Sequence, residues 1–261
     1  MKIGRLKGEQ MTFFMIKPFG KFKNTIKYDH LIAKAVKSIN SGCDENDAIL
    51  PLVEIGAPIA PRLRRYAREV RKVYGDLAQF DLYKKTLMRM GENFDVEPVI
   101  QDLEDENEKV RRDAIEILAG SGNTAGINAL LAGTKINDYV YMFDVLEQSS
   151  FRYSAACKET VAVALVEAYK NVHYYFHEKI CKIRIIRILG NVGDENTLKF
   201  IQSEYDDKAY EYVEARYNDN DELKGGYRRI SDLGRELEEA ARLIVRRGNL
   251  SFELKPPQGG G

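Results

Sequence analysis

The chain has 261 residues, and its 40 Lys and Arg balance 40 Asp and Glu, so the whole molecule carries no net field to draw in polyanions. With 44% apolar and 31% charged residues it has the composition of a folded globular chain rather than a disordered or membrane-embedded one. No apolar run approaches the roughly 20 residues of a membrane span, and three scattered cysteines (Cys43, Cys157, Cys181) exclude a disulfide framework or a structural zinc site.

Residues 1–28 read as a basic, aromatic N-terminal arm. Lys2, Arg5, Lys7, Lys17, Lys21, Lys23 and Lys27 stand there against Glu9, with Phe13, Phe14, Phe19 and Phe22 between them. Lys7, Glu9 and Lys17 break any apolar core of the kind a signal peptide needs, so a cytoplasmic protein is expected. The helical period of 3.6 then appears from Asp29 to Asn40 on Leu31, Ile32, Ala35, Val36 and Ile39. It returns on Ile49, Leu52 and Val53, and again on Ile59, Leu63, Tyr66, Val70 and Val73. Pro58 and Pro61 open the last of these where a missing amide hydrogen costs little. Phe80 to Gly91 gives the next helix.

Asp95 to Leu131 holds the clearest pattern. Val96, Val99, Ile100 and Leu103 form one stripe, and Val110, Ala114, Ile117 and Leu118 a second. Asp105 to Glu108 lies between them and supplies helix-capping side chains. Helices are expected to follow at Asn137 to Ser149, Cys157 to Asn171, His173 to Gly190 and Asn196 to Tyr205. The segments Leu52 to Leu63, Leu87 to Ile100, Leu118 to Leu130 and Leu189 to Ile201 share one grammar: an apolar helix end, a glycine, a polar turn, a new apolar start. Gly56, Gly91 and Gly122 fall 35 and 31 residues apart, and Gly193 lies 71 further on, room for two units. A period in the thirties built of helix pairs is the mark of an α-solenoid.

The Val110-Arg111 pair opening one helix, with Leu118 to Gly122 closing it, resembles a HEAT-like repeat of the phycobilisome-lyase type. The tetratricopeptide and ankyrin signatures are absent. The resemblance covers about Asp29 to Tyr205. It implies an all-α fold, a right-handed α-solenoid of about five HEAT-like helix pairs, with a C-terminal capping helix. The expected organisation is the arm at 1–28, a solenoid at 29–206, an acidic Tyr-rich connector and capping helix at 207–250, and a flexible tail at 251–261. The connector crowds Glu204, Asp206, Asp207, Glu211, Glu214, Asp219, Asp221 and Glu222 among tyrosines. Ser231 or Asp232 caps the helix carrying Leu233, Leu237, Ala240, Ala241 and Ile244.

Chemistry-bearing constellations are few. His173, His177 and Cys181 recur at steps of four on one helix, but the outer two are about 12 Å apart along the axis and no fourth ligand is at hand. His177-Glu178 resembles one dyad of deoxyhypusine hydroxylase, a HEAT-repeat di-iron enzyme. That family needs several dyads, and three histidines cannot supply them. No catalytic residue, metal or cofactor is therefore expected. Arginine-rich helices are the stronger signal, at Arg62 to Lys72, Lys84 to Arg89, Lys109 to Arg112 and Lys182 to Arg187. Aromatics concentrate between Tyr139 and Phe176, in the mix of Tyr and Arg that protein interfaces favour. The expected role is a non-catalytic scaffold or adaptor for another protein, away from membranes. Arg65, Arg68, Arg111 and Arg112 are the charged contacts expected, and Tyr141 and Tyr175 the aromatic anchors. The alternative is a nucleic-acid-binding protein using the same basic helices, with affinity that falls steeply as salt rises.

Overall fold

The computed structural model describes residues 23–74, 80–91, 93–172, 177–213 and 227–255. Among them the chain is helical, with one short antiparallel hairpin as the exception. It divides into two compact units, Met1–Asp95 and Val96–Gly261, within the stretch that the repeat pattern reads as a single array.

In unit 1, α1 (Lys23–Asn40) is followed by α2 (Glu45–Ile55), α3 (Ala60–Tyr74) and α4 (Phe80–Met90). The first helix starts ahead of Asp29, where the apolar pattern begins. Asp44 caps α2 by accepting from the Asn46 amide, and a 3₁₀ turn at Ala57–Ile59 carries Pro58 into α3. Neighbouring helices pack in an alternating way: α1 on α3 and α2 on α4, besides α1 on α2 and α3 on α4. Ile32, Ile49, Leu52, Ile59, Leu63 and Leu87 fill the interior between them.

Unit 2 contains α5 (Glu97–Gln101), α6 (Glu108–Ser121), α7 (Thr124–Gly133), α8 (Tyr139–Ser149), α9 (Ala155–Asn171), α10 (Glu178–Val192), α11 (Glu195–Lys208) and α12 (Asp232–Gly248). Here too each helix packs on the one two places later. One row is α6 on α8, α8 on α10 and α10 on α12; the other is α5 on α7, α7 on α9 and α9 on α11. Ile115, Ile117, Leu118, Ile127, Phe143, Leu146, Leu165, Ile185, Ile188 and Leu189 are buried between the rows. Side chains close the helix starts: Asn107 for α6, Asn123 for α7, Ser154 for α9 and Ser231 for α12. At α11 Asp194 and Thr197 form a reciprocal capping box.

Gly56, Gly91 and Gly122, which the repeat pattern sets in equivalent places, share a left-handed φ of 69°, 61° and 66°. Gly193 has an ordinary φ of −63°. There a side chain is excluded by space, since a Cβ would lie 2.6 Å from the Leu189 carbonyl oxygen.

Between α11 and α12 the connector forms strands β1 (Tyr210–Val213) and β2 (Tyr227–Ile230), which the sequence pattern did not predict. They pair antiparallel with Glu211 opposite Arg229 and Tyr212 opposite Arg228. The chain then returns after α12. The Gln202 side-chain amide holds both backbone groups of Lys255, accepting from its N–H at 3.0 Å and donating to its carbonyl at 3.1 Å. The expected arm up to residue 22 and the tail beyond residue 255 lie outside the described residues. No described helix is long and apolar enough to cross a membrane.

Candidate functional site

The residues expected to meet a partner are divided between the two units. Arg65 and Arg68 stand exposed on α3, in unit 1. Arg111, Arg112 and Tyr141 belong to unit 2, and Tyr175 lies outside the described residues.

Arg111 and Arg112 are neighbours in sequence with opposite fates, because one residue of helix turns the side chain by about 100°. Arg111 points into the junction between α6 and the start of α8, where its side chain is only 12% exposed. Its Nε donates to Asp138 Oδ2 at 2.7 Å, and Nη1 donates to the carbonyls of Asp105 and Glu106 at 3.1 and 3.0 Å. Lys135 donates to the carbonyls of Glu104 and Asp105 from the other side. These two cations satisfy the carbonyls of the turn before α6, so Arg111 serves the fold.

Arg112 faces solvent, with 45% of its side chain exposed, and pairs with Glu108 one turn back at 2.6 Å. Its guanidinium carbon sits 4.8 Å from the centroid of the Tyr141 ring on α8. The Tyr141 hydroxyl donates in turn to Glu116 Oε1 on α6. Burial, then the Glu116 carboxylate, raises the Tyr141 pKa well above the usual phenol range.

The same polar stitching continues along the row. Arg184 on α10 reaches Asp144 and Glu147 on α8, the latter at 3.2 Å. Arg187 approaches Glu147 at 3.6 Å and forks onto Glu236 of α12, with bonds of 2.9 and 2.6 Å. The Glu236 bond holds the Arg187 guanidinium more firmly charged than an ordinary arginine. Lys179 on α10 adds a 2.8 Å pair with Asp232 at the start of α12. The exposed side of α6, α8, α10 and α12 is thus a ribbon of alternating charge with Tyr141 in it. Val145, Ile183 and Leu243 are half-buried on the same helices, and Ile180 is exposed.

In sequence Arg184 and Arg187 belong to the basic helices, and nothing local singles them out. The signal is present: Asp144/Glu147 and Arg184/Arg187 share an i, i+3 spacing, which puts each pair on one face. Forty residues separate the matching sets, and only the packing of α8 on α10 makes them partners.

Other constellations are weaker. His177 is exposed at the N-cap of α10, Cys181 is buried one turn on, and His173 lies outside the described residues. Burial raises the Cys181 pKa, which disfavours the thiolate. Among the described residues no group of three His, Cys, Asp or Glu is placed to hold a metal ion. A cleft of about 440 Å³ opens between α12 and residues 252–254, with Ala241, Val245, Phe252 and Leu254 among its walls. Its Glu238 is occupied by the Tyr205 hydroxyl at 2.6 Å.

Comparison of the chain with protein-family models, with curated proteins and with solved structures finds no match.

Proposed function

We propose that unit 2 is an α-solenoid of HEAT-like helix pairs. It works as a non-catalytic scaffold and takes a protein partner on the exposed side of α6, α8, α10 and α12. The observation that carries this reading is the ribbon of alternating charge. Helices that pack two places apart present one continuous surface, and on it carboxylates and guanidiniums alternate around Arg112 and Tyr141. A fixed mosaic of both signs selects a partner of complementary pattern and rejects one of uniform charge. The half-buried aliphatic residues between the charges supply apolar contact, and Tyr with Arg is the pairing that anchors protein interfaces.

A phosphate-binding stripe on α6 and α10 finds less support. Arg112, Lys182, Arg184 and Arg187 each have a carboxylate within ion-pair distance, and that carboxylate would repel a phosphate.

The test is affinity capture of the tagged chain from its native cell lysate after nuclease treatment. Wild type is compared with the variant Arg112→Glu/Gln148→Lys, which changes exposed positions on adjacent helices. The expected result is a protein partner retained by wild type and reduced about tenfold by the variant, with the thermal melt unchanged. Equal recovery by a variant that melts normally would remove this face from consideration.

A further inference from the structure

We propose that unit 1 carries a nucleic-acid-binding surface on α1 and α3. Lys27, Lys34 and Lys37 hold the sugar–phosphate backbone there, beside the arginines of α3. The inference stands apart from the reading of unit 2 and rests on different residues.

The zero net charge of the chain conceals a division. Unit 1 holds 18 Lys and Arg against 11 Asp and Glu, and unit 2 holds 22 against 29. The positive excess of unit 1 is itself concentrated. Ten of its 18 bases, and only two of its 11 acids, lie on α1 and α3. Those two helices are neighbours: they pack together, and Arg62 of α3 stands 3.7 Å from Asp29 of α1. Both acids are engaged by arginine, Asp29 by Arg62 and Glu69 by Arg65 at 3.0 Å.

Geometry turns this excess into a surface. Lys27, His30, Lys34 and Lys37 follow one another at steps of three, four and three, a single stripe along a helix. All four are exposed, opposite the buried Ile32 and Ala35, and the three lysines have no ion pair among the described residues. The stripe presents a group about every 5 Å along the axis. On α3, Arg65 and Arg68 are exposed opposite the buried Leu63 and Ala67. The lysine stripe of α1 therefore runs on a helix packed beside one that is itself rich in arginine.

The composition of the surface selects the class of polyanion. A helix that enters a membrane surface needs a free apolar face, but the apolar faces of α1 and α3 are in the core. No large apolar side chain is exposed on either helix among the described residues. For the same reason no apolar centre of a protein interface stands exposed there among the described residues. Its lysine stripe offers repeated positive charge, suited to a partner whose negative charge also repeats. Such contacts read the backbone and not the bases, so binding is expected to show little sequence preference.

The test uses the full chain and fluorescence anisotropy with a labelled single-stranded RNA and a labelled DNA duplex, over a series of salt concentrations. One variant is Lys27→Glu/Lys34→Glu/Lys37→Glu, a second is Arg65→Glu/Arg68→Glu, and Lys199→Glu in unit 2 is the control. Circular dichroism checks that each is folded, and glutamine versions replace any variant that is not. The expected result is binding by wild type and control that each reversal weakens by about tenfold or more. On the duplex, the slope of log affinity against log salt should also become shallower by about 0.9 for each phosphate that the variant no longer neutralises. No binding at low salt, or binding that folded variants retain, would overturn the proposal. Binding confined to phosphatidylserine vesicles, or self-association of the chain that the reversals abolish without any nucleic-acid binding, would overturn it equally.

Discussion

Arg111 shows how far a single position is decided by what lies beyond its own helix. Asp138 is almost wholly buried, 3% exposed, and Arg111 is its ion-pair partner at 2.7 Å. Removing the guanidinium leaves a buried carboxylate without its ion pair and the Glu106 carbonyl without the donor that Arg111 supplies. Arg111→Ala should therefore destabilise the fold by about 3 kcal/mol in denaturant unfolding. The double variant Arg111→Ala/Asp138→Asn should recover part of that loss, because the orphaned charge is gone. Arg112→Ala, whose pair and ring contact are exposed, should change stability by less than about 1 kcal/mol. Equal losses at the two positions would contradict this assignment. The sequence shows two arginines in a row at the head of an amphipathic helix, and periodicity places them on different faces. It does not show that one of those faces meets Asp138, 27 residues further along. Of the six residues expected to meet a partner, Arg112 and Tyr141 come together across α6 and α8; their pairing depends on a helix contact that no local pattern contains.

At the scale of elements, helix positions and their ends are legible where the physics is local. Apolar periodicity marks the helices, and Asn107, Ser231 and the glycine of each polar turn sit where capping chemistry requires them. The hairpin is not legible in the same way. Its strands are four residues each, half of β1 is tyrosine, and an acidic run surrounds it; pairing with Tyr227–Ile230 is a non-local event. Gly193 shows a second limit. It obeys the same grammar as Gly122, yet Gly122 is required by a left-handed φ and Gly193 by crowding. Arg247 of α12 adds to that crowding. It closes the end of α10 by donating to the carbonyls of Gly190 and Asn191, at 2.7 and 2.6 Å, and to that of Gly193. Gly193→Ala would press a methyl against the Leu189 carbonyl and the Ile244 side chain. A loss of about 2 kcal/mol is expected in urea unfolding; an unchanged midpoint would show that the α10–α12 junction yields freely.

At the scale of the molecule, the balance of charge in composition conceals two units of opposite sign, and no sequence window reveals the boundary at Asp95. Stability at high pH is a second whole-chain property. Burial raises the pKa of Tyr141, Tyr153 and Tyr169 above the ordinary value of 10.0, with nearby carboxylates adding to it at Tyr141 and Tyr169. In the unfolded chain these phenols lose their protons near that ordinary value, while in the fold they keep them. Above it the unfolded state binds fewer protons, so stability must fall as pH rises. An alkaline titration followed by phenolate absorbance should show these three of the 15 tyrosines ionising only as helicity is lost. Complete ionisation with the helices intact would refute the buried placement. The ribbon on α6, α8, α10 and α12 has a mechanical consequence as well. The bodies of these helices are joined by apolar contact, which moderate salt barely alters, while their exposed edge is fastened by guanidinium–carboxylate pairs that ions screen. That edge is expected to loosen as ionic strength rises, while the apolar contacts beneath it hold.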